Sequence, residues 1–404
     1  MRVKIKKGVA KGQVTAPPSK SMAHRMMICA GLSEGTCKVQ GIAPSMDVLA
    51  TIDCLEAIGA KCKLEGDVLN ITGVDIRRTQ PQGILKCRES GSTLRFMIPI
   101  CLASGMEATL EGSKRLMERP LNIYEQICLE KNMTFEQNEG KVRVIGPIQS
   151  GEFEMLGNVS SQFISGLLFV LPLLDGDSKI KLIPPVESRS YIDMTIEALS
   201  CFGVEANWID ENTIGIKGNQ KYQAKETYVE GDYSNAAFFE ALNVLGGQVE
   251  VTGLKEDSIQ GDKAYIEMFK ALNVGTPELD ISNCPDLGPI LFAVAGAKNG
   301  AKFTGTARLK IKESDRGQTM AQELSKYGIK VTVLDDDIIV EPGEVKIPTG
   351  HIDGHNDHRI VMANAVLMTL IGGTIDGAQA VSKSFPDFFE KLQSLGIGVE
   401  QIED

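Results

Sequence analysis

Polar heads on apolar shafts recur along this chain. Ser19-Lys20-Ser21 follows two prolines and leads into Met22, Met26, Cys29 and Ala30, one apolar stripe of a helix. The same pattern begins again at Ser90, Ser160, Tyr233, Pro285 and Asn356. Each entrance predicts a helix of roughly a dozen residues, then a glycine, then a short strand. The glycines are Gly35, Gly105, Gly176, Gly246, Gly300 and Gly372. The strands are expected at 36–40, 108–111, 179–183, 249–252, 302–304 and 374–375. A second helix follows in every copy. It finishes at Gly59, Asn132, Gly203, Asn273, Gly328 or Gly396, the residue types that best tolerate the left-handed backbone of a helix end.

Hairpins are predicted after four of these ends, at 61–64 with 68–71, 134–136 with 142–145, 206–209 with 213–216, and 330–333 with 338–341. The fourth copy lacks one, because Asn273 runs almost directly into the fifth entrance; the sixth closes at Gln401-Ile402-Glu403-Asp404. The unit is therefore helix, strand, helix, hairpin, with a period of roughly 70 residues. Six copies divide naturally into three plus three. Interruptions at Thr15–Pro18 and Thr227–Asp232 read as crossover strands. They predict one domain over 18–228 and another over 1–17 plus 229–404, with ligands expected in a cleft between the two.

Charge and cysteine usage narrow the function. A net charge of −11 argues against nucleic acid as a partner, since a phosphate backbone needs a basic face. Nine cysteines without C-x-x-C spacing, mostly inside apolar patterns, read as free thiols in a reducing compartment. The longest apolar run, Phe163–Leu174, is too short for a bilayer and is broken by Gly166 and Pro172. The basic start Met1–Lys7 has no apolar signal core behind it. A soluble cytoplasmic protein without a membrane partner is expected.

Candidate chemistry sits at the helix entrances, where unpaired N–H groups and the helix dipole attract anions. Those entrances hold Lys20, Ser21 and Arg25; Ser90, Gly91, Ser92, Thr93 and Arg95; Ser160, Ser161 and Gln162; Asp286; and Asn356 to Arg359. Loops before the second helices add Arg115 to Arg119, Ser188 to Tyr191, Arg308 to Arg316, and Lys383 to Pro386. Superposable copies put these sets on one side and predict a cationic, hydroxyl-rich anion site. His351, His355 and His358 with Asp353 and Asp357 are compatible with a metal, but His358 and Arg359 open a helix and serve a phosphate or carboxylate equally well. Nucleotide P-loop, Rossmann, nucleophile-elbow and zincin motifs are absent. No metal and no cofactor are expected.

Several stretches carry a resemblance: Pro18-Ser19-Lys20-Ser21 with Arg25, Ser90-Gly91-Ser92-Thr93 with Arg95, Glu118-Arg119-Pro120-Leu121, Asn158 to Gln162, and Ser188 with Tyr191 and Asp193. Pro285-Asp286, Lys312 to Arg316, Asn356 to Arg359, and Lys383 to Asp387 complete the set. In these the chain resembles the EPSP (5-enolpyruvylshikimate-3-phosphate) synthases over essentially its full length. The resemblance implies an α/β (α+β) fold of two domains, each of three βαβαββ units around buried helices, an inside-out α/β barrel. It implies transfer of the enolpyruvyl group of phosphoenolpyruvate to the 5-hydroxyl of shikimate 3-phosphate, through a tetrahedral ketal that expels phosphate.

By position, the resemblance assigns shikimate 3-phosphate to Lys20, Ser21, Arg25, Ser160, Ser161, Gln162, Ser188, Tyr191, Asp286 and Lys312. It assigns phosphoenolpyruvate to Lys20, Gly91, Arg119, Gln162, Arg316, Arg359 and Lys383. Asp286 is implied as base or orienter of the 5-hydroxyl, with Glu313, Lys20 and Lys383 as candidates for moving the C3 proton. Two phosphates and two carboxylates in one site call for several Arg and Lys, which take the part a metal would otherwise play. Glu89, Ser92 and Arg308 depart from what many relatives carry. Gly91 is retained, and a side chain there is expected to crowd the inhibitor glyphosate.

Three other readings stand beside this one. The sister transferase acting on UDP-N-acetylglucosamine carries a Cys in its mobile loop, whereas Glu111–Arg119 has none. An RNA-end cyclase of related repeat architecture fits poorly with the acidic balance. A non-catalytic phosphometabolite-binding protein has no need of Asp286 and Glu313 among its cations. A monomer is expected.

Overall fold

The computed structural model describes residues 1–402. Glu403 and Asp404, which close the expected sixth copy and the expected 229–404 segment, lie outside the described residues. The chain separates into two compact units, one of residues 20–230 and the other of residues 1–19 with 231 onward.

Six helices carry almost no polar face. In the 20–230 unit they are Lys20–Gly31, Gly91–Ser104 and Ser161–Val170; in the other unit they are Tyr233–Val244, Gly288–Ala297 and His358–Met368. A helix apolar all round must be buried all round, and every residue of His358–Met368 is. The second helices have one exposed face instead. These are Met46–Ala57, Asn122–Glu130, Arg189–Cys201, Tyr265–Val274, Arg316–Ser325 and Phe388–Ser394. Within each unit, then, the first helices form the core and the sheets and second helices cover it. The six glycines after the first helices all take positive φ, as Gly105 does at 71°.

Each repeat opens with a strand that helical periodicity does not reveal. Ile84–Arg88 pairs in parallel with Glu107–Gly112, Glu152–Leu156 with Ser178–Ile183, and Glu278–Asp280 with Ala301–Thr304. Ile352–Asp353 pairs likewise with Gly373–Asp376. These leading strands are two to five residues long and stand outside the helix–glycine–strand and hairpin pattern by which the other strands are located. The first repeat takes its leading strand from far along the chain, where Glu226–Tyr228 pairs with Thr36–Gln40. The sixth borrows from the start, since Arg2–Ile5 lies antiparallel between Gly373–Asp376 and Val399–Ile402. With these strands added, the unit is βαβαββ.

The fourth repeat is incomplete. Among the described residues, Gln248–Thr252 pairs only with Lys11–Thr15. Asn273 does not end its helix: it lies inside Tyr265–Val274, and Gly275 is extended, with φ −172°. Without a hairpin to begin, the chain has no need of a left-handed turn there. The open edge of Gln248–Thr252 is covered by a side chain: the Val249 N–H donates to Asn243 Oδ1 at 2.7 Å, and Asn243 Nδ2 donates to the Val249 carbonyl at 2.7 Å. One amide thus copies the pairing of an absent strand. No helix among the described residues is long and apolar enough to cross a membrane.

Candidate functional site

Two polar clusters stand at the entrances of the buried helices, one in each unit. In the 20–230 unit, Lys20 opens its helix and its Nζ donates to Asp47 Oδ2 at 2.7 Å. One turn on, Arg25 is 2 % exposed. Its Nε donates to Thr195 Oγ1 at 2.8 Å, Nη1 to the Ser21 carbonyl at 2.7 Å, and Nη2 to the Tyr191 carbonyl at 2.9 Å. The guanidinium also lies over the Phe96 and Tyr191 rings. Burial pulls its pKa down to about 10. A buried cation held by hydroxyls, carbonyls and ring faces keeps its charge available to an incoming anion.

Ser90 and Ser160 cap their helices, accepting from the N–H groups of Thr93 and Gln162. Ser161 is buried at the first turn behind Ser160. The Gln162 amide joins two elements, accepting from Arg95 Nη1 at 2.8 Å and donating to Ser92 Oγ at 2.9 Å. The Arg119 guanidinium lies flat against Gly91, where an added Cβ would fall 2.6 Å from Nη1. Ser188 takes a left-handed conformation, φ 53°, immediately before the helix that carries Tyr191. Sequence reasoning missed Asp47 and Thr195. Asp47 reads as an ordinary acid in a helix first turn, and nothing in the chain signals its pairing with a lysine at position 20.

In the other unit Asp286 faces three cations. Lys312 Nζ and Arg316 Nη1 donate to its Oδ1 at 3.1 and 2.8 Å, and Arg359 Nη2 lies 3.2 Å from its Oδ2. Burial alone pushes the Asp286 carboxyl up, but Arg359, Lys312 and Arg316 outweigh it and hold the group well below the usual carboxylate range. Burial also lowers the Lys312 ammonium from its ordinary value, against the pull of Asp286. Arg316, 1 % exposed, is shared among three carboxylates. It donates to Asp286, to Glu313 Oε2 at 2.8 Å and to Asp357 Oδ2 at 2.9 Å. Asp357, fully buried, also accepts from Ser314 Oγ at 3.0 Å and from the Arg359 N–H at 3.0 Å. Lys383 donates to the Asn356 carbonyl. Asp286, Lys312, Glu313, Arg316 and Arg359 are therefore gathered in one network, and Asn356 joins Lys383 to the loop that begins it. The role of Asp357 as the partner of Arg316 was not legible in the sequence.

His351 pairs with Asp376 and His355 with Glu323. Among the described residues no group of three or more His, Cys, Asp or Glu side chains is placed to hold a metal ion. Of the departures noted above, Ser92 bonds Gln162 and Arg308 donates to the Ser282 carbonyl.

Cationic helix entrances of this kind suit small, multiply charged anions. A family model described as EPSP synthase (3-phosphoshikimate 1-carboxyvinyltransferase) matches residues 5–392. The chain belongs to the EPSP synthase family. Relatives named 3-phosphoshikimate 1-carboxyvinyltransferase include one from Clostridium novyi, 39 % identical with 98 % of this chain and 97 % of the relative covered. Another, from Clostridium kluyveri, is 37 % identical with 96 % of each covered. Among solved structures, an EPSP synthase from Acinetobacter baumannii superposes with a TM-score of 0.80 at 25 % identity, covering 99 % of this chain and all of the other. The enolpyruvyl transferase NikO from Streptomyces tendae shares the fold, with a TM-score of 0.79 at 14 % identity over 99 % and 98 % of the two chains. The EPSP synthase family is thus reached from the motifs, the sequence match and the fold alike.

Proposed function

We propose that this chain transfers the enolpyruvyl group of phosphoenolpyruvate to the 5-hydroxyl of shikimate 3-phosphate, releasing phosphate. One observation carries the reading: a carboxylate, Asp286, is kept ionised by three cations and is joined through Arg316 to a second acid, Glu313. A simple anion receptor gains nothing from carboxylates among its cations, since each repels the ligand. An addition–elimination reaction needs both, one to take the hydroxyl proton and one to move a proton at C3.

Asp286 is a weak base while its cations face it alone. Phosphate and carboxylate groups arriving beside those cations weaken their hold and raise its proton affinity, so its basicity appears with the substrates. Asp286 then takes the 5-hydroxyl proton as that oxygen bonds to C2 of phosphoenolpyruvate and C3 is protonated. The ketal collapses when C3 gives a proton back and the C2–phosphate bond breaks. Glu313 carries the C3 proton in this reading, with Lys20 and Lys383 neutralising the phosphate and carboxylate.

Shikimate 3-phosphate is assigned Lys20, Ser21, Arg25, Ser160, Ser161, Gln162, Ser188, Tyr191, Asp286 and Lys312. Phosphoenolpyruvate is assigned Lys20, Gly91, Arg119, Gln162, Arg316, Arg359 and Lys383. Nine free cysteines suit the cytoplasm, where we place a monomer. The test is phosphate release from the two substrates together, in the unaltered chain and in Asp286→Ala. Release by the first and a loss of about a hundred- to ten-thousandfold in the second is expected for a catalytic base. Binding of both substrates without turnover in the unaltered chain would make it a binding protein.

A further inference from the structure

The loop that carries Asn356 and Asp357, and leads into the helix of Arg359, is fastened to the helix Arg316–Ser325 at two places. The first is the Arg316–Asp357 pair described above. The second lies two turns along the same helix, at Glu323, which is fully buried. Glu323 Oε1 meets His355 Nε2 at 2.9 Å, and Oε2 accepts from Lys326 Nζ at 2.7 Å and from the Asp353 N–H at 3.0 Å. Between the two fastenings the backbone does something unusual. His355 and Asn356, neither of them glycine, both take left-handed φ values, 48° and 51°. Such a turn persists only where its surroundings over-determine it. The His355 N–H is held in addition by Asp353 Oδ1 at 2.7 Å.

We propose that Glu323 and His355 are positioning residues for the phosphoenolpyruvate groups. Their ion pair clamps the left-handed turn and so sets Arg359 and the Asn356 carbonyl to which Lys383 donates. The inference rests on the functional reading above, because it takes Arg359 and Lys383 to be ligands of phosphoenolpyruvate. The clamp uses a histidine where a lysine or arginine would be permanently charged, so its strength follows pH. The groups that face the imidazole are Glu323 and Lys326 from the helix and its end, and Asp353 from the strand just before the turn. The Glu323 hydrogen bond raises the His355 pKa above its ordinary value, burial and Lys326 oppose it, and Asp353 assists. The pair is therefore complete between the lowered Glu323 value and the raised His355 value, and is lost as pH rises through the latter.

Two variants of the full chain test this. Glu323→Gln keeps the size of the side chain and one of its two acceptor oxygens, and removes its charge. His355→Asn removes the imidazole while keeping a residue that tolerates the left-handed turn. The first readout needs no substrate: the NMR titration of His355, assigned by its loss in His355→Asn. Its midpoint is expected above the ordinary histidine value in the unaltered chain and clearly lower in Glu323→Gln. The second readout is kinetic. KM for phosphoenolpyruvate is expected to rise about tenfold in both variants, with KM for shikimate 3-phosphate and kcat within about twofold. In the unaltered chain that KM should climb as pH passes the His355 midpoint, and in Glu323→Gln the climb should move to lower pH. A midpoint indifferent to Glu323, no change in either KM, or an equal rise in both would overturn the proposal. If the unaltered chain released no phosphate, the functional reading alone would fall, and the His355 midpoint would still decide whether the clamp exists.

Discussion

Replacing Gly91 with alanine separates the folding role of this residue from its place beside Arg119. A Cβ at position 91 would lie 2.6 Å from Arg119 Nη1 and 3.0 Å from Cζ and Nη2, against an ordinary contact of at least 3.4 Å. The guanidinium must therefore move by about 0.8 Å, the difference between 3.4 and 2.6 Å. Arginine is long enough to yield at its tip, and Gly91 sits in a helix first turn without positive φ, so the fold loses nothing. Alanine even gains up to about 1 kcal/mol of helix propensity over glycine. Misplacing a charged ligand group by this much costs roughly ten- to a hundredfold in affinity, about 1.4–2.8 kcal/mol. Steady-state phosphate release should show KM for phosphoenolpyruvate rising by that factor, KM for shikimate 3-phosphate within about twofold, and a thermal midpoint unchanged or raised. An unchanged KM for phosphoenolpyruvate in Gly91→Ala, alongside a large rise in Arg119→Ala, would refute the reasoning, since it would mean the guanidinium binds without needing its place against Gly91.

The buried network makes its own demands. Asp357→Asn leaves Arg316 short of a charge and should cost about 3 kcal/mol in chemical denaturation, the low end for a broken buried pair because Asp286 and Glu313 remain; a loss under about 1 kcal/mol would place Asp357 with ordinary surface pairs. Acid should unfold the chain through the same groups. Asp286, Asp357 and Glu323 are all held below the usual carboxylate range, so their contribution is complete above that range and drains away as pH falls through the depressed values. Denaturation midpoints measured below about pH 4 should fall steeply in the unaltered chain and more gently in Asp357→Asn. Asn243→Ala uncovers the Val249 N–H and carbonyl, which should cost about 1 kcal/mol and leave a free strand edge. Sedimentation should then show association that grows with concentration, and a variant as stable and as dispersed as the parent would remove the edge-covering role from Asn243.

Local signals in the chain reached far into the fold. Apolar shafts located all six core helices, and glycines located the turns after them, because both features follow from backbone and solvation physics within a dozen residues or so. Asn273 marks where that logic stops. It has the chemistry of a helix end but sits inside a helix, since whether the chain turns depends on a hairpin that this repeat lacks. The leading strands escaped for a related reason. Ile352–Asp353 is a strand only because Gly373–Asp376 lies beside it, and two residues hold no periodicity of their own.

The site divides in the same way. Helix entrances rich in Lys, Arg and Ser announce anion chemistry from sequence, because charge and unpaired N–H groups are properties of residue type and helix end. Pairing is another matter. That Lys20 meets Asp47, that Arg25 rests on Thr195, and that Arg316 reaches Asp286 and Asp357 follows only from elements far apart in the chain coming within 3 Å or so. Sequence by itself determined which groups this protein could bring to a reaction and where its helices begin. The tertiary structure decided which carboxylate faces which cation, because electrostatic and hydrogen-bond energies depend on distance in space and not on separation along the chain.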